Sequence, residues 1–315
     1  MSTSEAIDTR LTSHKAQLIA EFIAKHRGHV KGRGRPLIVS MQGPQGAGKS
    51  TLAAALVKLL ASSYKLTTAV ASLDDFYLDR EGLDALAATY SSNKMLQGRG
   101  PPGTHDIDLL KRILEQVRQP RSNSSNSVAL PVFDKSLFNG RGDRSKSTIP
   151  INPVHLDVFM LEGWSLGFHS LPEDRLRELW KVGKTASKHE WKSILQVNDN
   201  LSQLNTETDS YFDCHISITP LDWDYVYQWR LQQEHHMKRD NGGSGMSDEE
   251  VRLFVDRYMP CYELYGKRNL VVQSLRLVYG SEREVVNVEE DSGSIGACIC
   301  MSDSAALLRG LVIRN

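Results

Sequence analysis

The eight residues from Gly43 to Ser50 fit the pattern G-x-x-x-x-G-K-[ST] without a mismatch. They follow an apolar run, Leu37–Met41, and lead into a helix-prone run, Lys49–Leu60. A strand, a glycine-rich turn and a helix in this order distinguish a phosphate-binding P-loop from a chance match. Glycines let backbone N–H groups turn inward around a polyphosphate, and the helix N-terminus adds a favourable field. The segment therefore predicts a nucleoside triphosphate site.

The residue types in this loop also predict how the nucleotide is held. Lys49 can reach the β- and γ-phosphate oxygens, and the hydroxyl of Ser50 can bind Mg²⁺. ATP and Mg²⁺ are therefore the predicted cofactors. An ordinary glycine-rich turn is the alternative, which the flanking strand and helix disfavour. The predicted nucleotide-binding residues are Gly43, Gln45, Gly46, Ala47, Gly48, Lys49, Ser50 and Thr51.

Composition limits the possible partners and compartments. The 315 residues carry no net charge, so the overall charge gives no argument for nucleic acid or an anionic membrane as a partner. Only four cysteines in a chain of this size disfavour a disulfide framework and favour a reducing compartment. The N-terminus has no secretory apolar region, and no apolar run approaches membrane-spanning length. We expect a cytoplasmic protein that acts on a small molecule; the oligomeric state is left open.

Strand-like and helix-like segments alternate along the chain. The pattern predicts strands at 37–41, 67–73, 154–161, 215–218 and 270–278, and helices near 1–30 and at 49–60, 106–117, 223–237 and 247–258. This alternation indicates βαβ units and an α/β fold: a doubly wound, mainly parallel sheet with helices on both faces. Ligands in such folds bind beyond the carboxyl ends of the strands.

Three regions follow from the pattern. Residues 1–35 are predicted as an N-terminal helix, 36–280 as a P-loop domain, and 281–315 as a C-terminal strand or tail, flexible from Glu289 onward. Within the P-loop domain, residues 172–210 read as a helical insertion and 222–258 as a lid. Residues 121–127 are a polar loop.

Acidic residues follow two of the predicted strands. Asp74 and Asp75 come at the end of the second strand, where either carboxylate could orient and deprotonate an attacking hydroxyl. Glu162 ends the third strand and is a candidate second acid near Mg²⁺. A helix cap for the aspartates and a buried, amide-bound acid for Glu162 are the structural alternatives.

Glycine-rich loops supply candidates for acceptor binding. Residues 97–106 and 131–144 combine glycines with cations and acids, which suits a small polyhydroxylated or anionic acceptor. Asp106 is equally a candidate N-cap of the next helix, and Arg144 a candidate surface salt bridge. The candidate acceptor-binding residues are Tyr77, Arg99, His105, Asp106, Asp134 and Arg144.

The segment 222–258 reads as helix, glycine hinge and helix, which is typical of a lid. Arg230, or the pair Lys238 and Arg239, could neutralise charge on a transferring phosphoryl group. Surface arginines are common on amphipathic helices, so each cation taken alone has a structural alternative.

Together these residues resemble the phosphoribulokinase/uridine kinase branch of P-loop kinases. Within it, the chain is most similar to the D-glycerate 3-kinase family, in particular to its fungal members. The segments that carry this similarity are Lys135–Arg144, Glu162–Phe168, Trp229–Gln232, Gly245–Val251 and Phe254–Pro260. The resemblance implies a P-loop kinase fold, MgATP as donor, and an acceptor hydroxyl activated by Asp74 or Asp75. It also implies that Glu162 is the metal-proximal acid and Arg230 a lid residue.

The expected activity is transfer of the γ-phosphoryl group of ATP to a hydroxyl of D-glycerate or a similar small acid. Arg99, His105 and Arg144 would hold the acceptor, while Lys49 and Mg²⁺ neutralise the transition state. A kinase for a nucleoside, pantothenate-like or sugar acceptor is one alternative, and a nucleotide-binding regulatory ATPase is another. The Asp74/Asp75 pair argues against the regulator, because a protein that only binds nucleotide needs no positioned base.

Overall fold

The computed structural model describes residues 3–32, 34–122, 127–240, 242–266 and 272–291. The helices within these ranges are α1 (Thr3–Lys31), α2 (Lys49–Tyr64), α3 (Arg80–Thr89), α4 (Ile107–Arg118), α5 (Glu173–Val182), α6 (Trp191–Thr208), α7 (Tyr225–Asp240), α8 (Asp248–Asp256) and α9 (Met259–Tyr265). The strands are β1 (Leu37–Gln42), β2 (Thr68–Ser72), β3 (Val128–Leu130), β4 (Phe133–Asp134), β5 (Asp143–Arg144), β6 (Ile149–Ile151), β7 (Val158–Gly163), β8 (Cys214–Pro220), β9 (Gln273–Tyr279) and β10 (Val285–Asp291).

Six of these strands form the central sheet, in the order β10-β9-β8-β1-β7-β2. The strands from β9 to β2 are parallel, and β10 pairs antiparallel with β9 at the edge. The predicted mainly parallel, doubly wound sheet is confirmed. Because β1 lies between β7 and β8, the loops that follow all three strands meet at one edge of the sheet.

Successive side chains of the sheet strands pack into two separate hydrophobic cores, one on each face of the sheet. In β1, Ile38 packs with Phe159 of β7 on the face covered by α4, α6 and α9. Its neighbour Val39 packs with Met160 on the opposite face, against α1 and α2. Buried parallel strands therefore read as continuous apolar runs, since both faces of the sheet are covered. This is why the strands were visible in the sequence as runs rather than as alternating patterns.

Helices occupy both the N-terminal segment and the segment predicted as a helical insertion. Ile19 and Ile23 of α1 are fully buried in the core that α1 shares with α2. The insertion consists of α5, a short 3₁₀ turn and α6. Asn198 of α6 bonds both backbone groups of Leu171, which fixes the insertion to the chain leaving β7.

Two sequence predictions need correction, and three others fall at least partly outside the described ranges. The strand predicted from Val154 begins at Val158, because Asn152 caps a 3₁₀ turn over Pro153–His155. Glu289–Asp291 do not begin a flexible tail: they end β10, which continues the sheet by pairing with β9. The start of the last predicted strand, the centre of the loop 121–127 and the stretch after residue 291 lie outside the described residues.

The chain entering β1 is fixed by a buried ion pair. Both terminal nitrogens of Arg35 contact the Asp213 carboxylate at 2.7 Å, and the Ile38 amide donates to the same carboxylate at 2.9 Å. The Arg35 and Asp213 side chains are only 6% and 13% exposed. The pair therefore joins the start of β1 to the start of β8.

We expect Asp213→Ala to lower the free energy of unfolding by about 3–5 kcal/mol, because it leaves the Arg35 charge buried without its partner. Urea unfolding followed by circular dichroism measures the change. Glu178→Gln is the matched control, since Glu178 pairs with Arg175 on the surface and should change stability by less than about 1 kcal/mol. Equal effects of the two substitutions would contradict the structural role of the buried pair.

Candidate active site

The P-loop leaves β1 and enters α2 through left-handed glycines. Gly46 and Gly48 have φ angles of +73° and +83°, a region in which side chains with a Cβ are strained. The Gly43 amide donates to the Gly163 carbonyl at 3.3 Å, which ties the loop to the end of β7. Ser50 lies exposed at the start of α2. The loop therefore opens toward solvent where a polyphosphate would enter.

Lys49 begins α2 and interacts with two acids, Asp74 just after β2 and Glu162 at the end of β7. Its ammonium donates to the Pro44 carbonyl at 3.2 Å. Desolvation lowers the pKa of Lys49, while the charges of Glu162 and Asp74 act in the opposite direction. Glu162 is opposite Ser72 in the parallel register of β7 and β2, which places the two acid-bearing strand ends side by side. The sheet thus brings the predicted lysine and acids together.

Asp74 and Asp75 point to different neighbours. Asp74 accepts from the Tyr77 hydroxyl at 3.0 Å and from the Lys135 ammonium at 2.5 Å. Asp75 accepts from the Phe133 amide at 3.0 Å. Burial raises the pKa of Asp74, but Lys135, Lys49 and the Tyr77 hydrogen bond outweigh it and bring the pKa below its usual value. Burial leaves the pKa of Asp75 above its usual value despite the Phe133 bond.

Aromatic side chains pack around Tyr77, the tyrosine that donates to Asp74. Tyr77 is buried and stacks on His105 with ring centroids 4.6 Å apart, while Phe133 contacts Tyr77 edge-on at 5.3 Å. Burial lowers the pKa of His105 to about 4, although the charge of Asp74 partly offsets this. The imidazole is therefore neutral near pH 7 and can offer a hydrogen bond but no positive charge.

Asp106 has two roles at once. One carboxylate oxygen accepts from the Leu109 amide at 2.9 Å, which caps α4. The other accepts from Arg144 at 3.0 Å. The same Arg144 nitrogen donates to the Tyr77 carbonyl at 2.8 Å. The Asp106–Arg144 pair therefore holds the Tyr77 segment against the start of α4, with each side chain about one quarter exposed.

Arg99 and Asp134 stabilise the β4–β5 hairpin, the segment from Phe133 to Arg144. Arg99 donates to the carbonyls of Gly140 and Arg141 at 2.8 and 2.6 Å. Asp134 accepts from the amide and hydroxyl of Ser136 at 2.9 and 2.6 Å, and so shapes the first turn of the hairpin. In this structure both side chains therefore bind the hairpin itself.

In the predicted lid, Arg230 of α7 is buried and bound within the lid. It contacts Glu234 at 2.8 Å and lies over the Phe254 ring of α8, 5.4 Å from its centroid. Glu234 also accepts from the Met246 amide at 2.7 Å, which joins the glycine-containing turn to α7. The contacts of Arg230 are therefore with α7 and α8, and its proposed role toward phosphate stays a prediction.

Three known proteins are similar to this chain in sequence or in structure. A solved D-glycerate 3-kinase from Cryptococcus neoformans var. grubii superposes with a TM-score of 0.80 at 37% identity, over 88% of this chain and 99% of that one. The probable ATP-dependent kinase TDA10 of Saccharomyces cerevisiae is 38% identical over 237 residues, which are 73% of this chain and 78% of the yeast protein. The chloroplastic D-glycerate 3-kinase of Arabidopsis thaliana is 39% identical over 231 residues, but the match spans only 48% of the plant protein.

The chain belongs to the D-glycerate 3-kinase family. As a family member with a P-loop, it is an ATP-dependent small-molecule kinase, a phosphotransferase whose acceptor is an alcohol group. No family-level sequence profile matches the chain. Within the described part of the chain, the helices are too short or too polar to cross a bilayer.

Sequence reasoning missed several residues that contact the predicted site residues. Lys135 follows the predicted Asp134 and directly contacts Asp74. Tyr258, at the junction of α8 and α9, donates to the Arg99 carbonyl at 3.4 Å. The Tyr262 hydroxyl bonds the side chain of Gln45 at 3.2 Å. The two tyrosines come from helices far along the chain, and no spacing in the sequence relates them to the loops they contact.

A cavity of about 180 Å³ adjoins the outer side of the P-loop. Its lining includes Gly48 and Thr51 from the P-loop and α2, Lys15 from α1, Gln232 and His236 from α7, and Arg283. Arg283, between β9 and β10, donates to the Gly46 carbonyl at 2.7 Å and lies over the Trp229 ring. The turn after β9 therefore anchors the P-loop to α7. No sequence signal pointed to Arg283, because it follows the last predicted strand.

Gly46→Ala should destabilise the protein more than Gly48→Ala. A Cβ on Gly46 would lie 2.4 Å from the backbone carbon of Trp229, whereas a Cβ on Gly48 meets no atom within 4 Å. Left-handed strain alone costs about 1–2 kcal/mol, so Gly48→Ala should lose about that much and Gly46→Ala more. Urea unfolding without nucleotide measures both. Equal losses would show that α7 does not press on the loop in solution.

Proposed function

We propose that this kinase transfers the γ-phosphoryl group of ATP to a hydroxyl of D-glycerate. The observation that carries the proposal is the electrostatic interaction of Asp74 with Lys49, the P-loop lysine, at one edge of the sheet. The names of two relatives, a fungal and a plant D-glycerate 3-kinase, supply the acceptor. The cation-rich surroundings of Asp74 suit an acceptor that carries a carboxylate.

Asp74, rather than Asp75, is the proposed general base. Its carboxylate is close enough to Lys49 for the two charges to act on each other, whereas Asp75 accepts from the Phe133 amide. In the proposed step Asp74 takes the proton of the acceptor hydroxyl while that oxygen bonds the γ-phosphorus. The bond from γ-phosphorus to the ADP oxygen breaks, and ADP leaves with that electron pair. Lys49 stabilises the negative charge on the phosphoryl oxygens.

The donor set at this edge also fits Mg²⁺. The Ser50 hydroxyl lies at the open start of α2, and Glu162 is a buried carboxylate whose charge acts on Lys49. Hydroxyl and carboxylate oxygens are ligands that Mg²⁺ accepts beside substrate phosphates and water. Bound there, the ion would neutralise charge on the β- and γ-phosphates.

The remaining predicted residues have supporting roles in this proposal. Arg144 and Asp106 position Tyr77, which in turn donates to Asp74. Neutral His105 is available to hydrogen-bond an acceptor hydroxyl. Arg230 and the α7–α8 segment are proposed to close over the phosphates, and lid closure would exclude water from the reaction.

The substrate assignment is tested by incubating the protein with MgATP and D-glycerate, uridine, pantothenate, ribulose 5-phosphate or glycerol. We expect acceptor-dependent ADP release with D-glycerate, at least tenfold faster than with the other compounds, and one phosphoglycerate formed per ADP. Preference for another alcohol would overturn the acceptor, while ADP release independent of every acceptor would favour a regulatory ATPase.

Asp74→Asn should reduce kcat by about 10²–10⁴-fold, because it removes the proton acceptor while preserving the shape of the side chain. The affinity for ATP, measured by calorimetry, should change less than threefold. Asp75→Asn is the matched control, and we expect its kcat to stay within tenfold of the wild type. If the two variants exchange these phenotypes, the base is Asp75; if both keep normal turnover, neither aspartate is the base.

A further inference from the structure

Lys135 stands out among the cations around Asp74. It lies in the exposed turn of the β4–β5 hairpin, and its side chain remains 54% exposed even though the ammonium contacts the Asp74 carboxylate at 2.5 Å. Its charge also acts on Asp75 and on Lys49. An ammonium at this position is thus accessible from solvent and adjacent to the proposed base.

Arg99 and Arg144, the arginines predicted to bind the acceptor, are already held by the protein. Arg99 donates to the carbonyls of Gly140 and Arg141. Arg144 bonds the Asp106 carboxylate and the Tyr77 carbonyl, which fixes the segment that carries the base. If either arginine turned to a ligand, local structure would lose these bonds. Lys135 can change partner with less loss of local structure, since the group it binds is the Asp74 carboxylate and not the backbone of the hairpin. A lysine also carries its charge on a flexible side chain.

The ion pair between Lys135 and Asp74 also opposes the proposed role of Asp74 as general base. A carboxylate whose charge is neutralised by an ammonium at 2.5 Å accepts a proton less readily than a free one. An acceptor that brings its own anionic group offers Lys135 a second partner at the moment when Asp74 must become available. The neutral imidazole of His105 cannot provide that counter-charge.

We infer that Lys135 binds the anionic group of the acceptor, exchanging Asp74 for the acceptor carboxylate, and so selects small hydroxy acids over uncharged alcohols. The inference rests on the proposed function and adds to it a residue that recognises the negative charge of the acceptor. It assigns Lys135 to substrate recognition, and leaves proton transfer to Asp74.

The test compares D-glycerate with its neutral amide, D-glyceramide, in the wild type and in Lys135→Gln. A charge-assisted hydrogen bond contributes about 1.5–3 kcal/mol, so the KM for D-glycerate should rise about 10- to 150-fold in Lys135→Gln. The inhibition constant of D-glyceramide against D-glycerate should change less than threefold. The KM for ATP should be unaffected, and Lys135→Arg should recover a part of the lost D-glycerate affinity.

Lys146→Gln is the matched control, because it removes an exposed lysine just beyond the same hairpin, and its KM for D-glycerate should equal that of the wild type. Parallel weakening of D-glycerate and D-glyceramide in Lys135→Gln, or no change in either, would overturn the inference. Failure of the wild type itself to phosphorylate D-glycerate would instead overturn the proposed function. The two failures are therefore distinguishable in one set of assays.

Discussion

The parallel register of β1 with β7 is the constraint from which the rest of the site follows. It places the end of β1 beside Glu162, and the Gly43 amide continues the pairing by donating to the Gly163 carbonyl. β2 then pairs on the other side of β7, with Ser72 opposite Glu162, so Asp74 emerges at the same edge. A P-loop lysine and two acids that are far apart in sequence thus become neighbours because hydrogen-bonded strands end together.

Charge balance within a desolvated pocket is the second organising effect. Burial lowers the pKa of Lys49, and the negative charges of Glu162 and Asp74 act in the opposite direction. Asp74 is likewise held charged by Lys135 and Lys49 against its own burial. Each charge at the strand ends therefore depends on an opposite charge from another segment. The nucleotide and the acceptor are both anionic. On binding they would therefore exchange with the acids as partners of the lysines, which are already paired.

Backbone packing fixes the other side of the P-loop. Gly46 lies so close to Trp229 that no side chain fits between them, and Arg283 bonds the Gly46 carbonyl from the turn after β9. Trp229 is fully buried. The start of α7, up to Trp229, is thus part of the nucleotide site's framework, and a moving lid would comprise α7 from Arg230 onward with α8, where Glu234 joins the intervening turn.

The sequence alone indicated the local elements: the strand, P-loop and helix of residues 37–60, the acids at strand ends, and Asp106 as a candidate cap, because each depends on contacts within a few residues. It also indicated the parallel sheet, since strands buried on both faces appear as apolar runs. Only the tertiary structure decided which of Asp74 and Asp75 interacts with Lys49, that Arg144 holds the Tyr77 segment, and that Lys135 contacts Asp74 and Arg283 the P-loop. It also showed that Glu289, predicted to begin a tail, belongs to an edge strand. These outcomes depend on which segments the sheet and hairpins bring together, and no residue spacing along the chain encodes such long-range contacts.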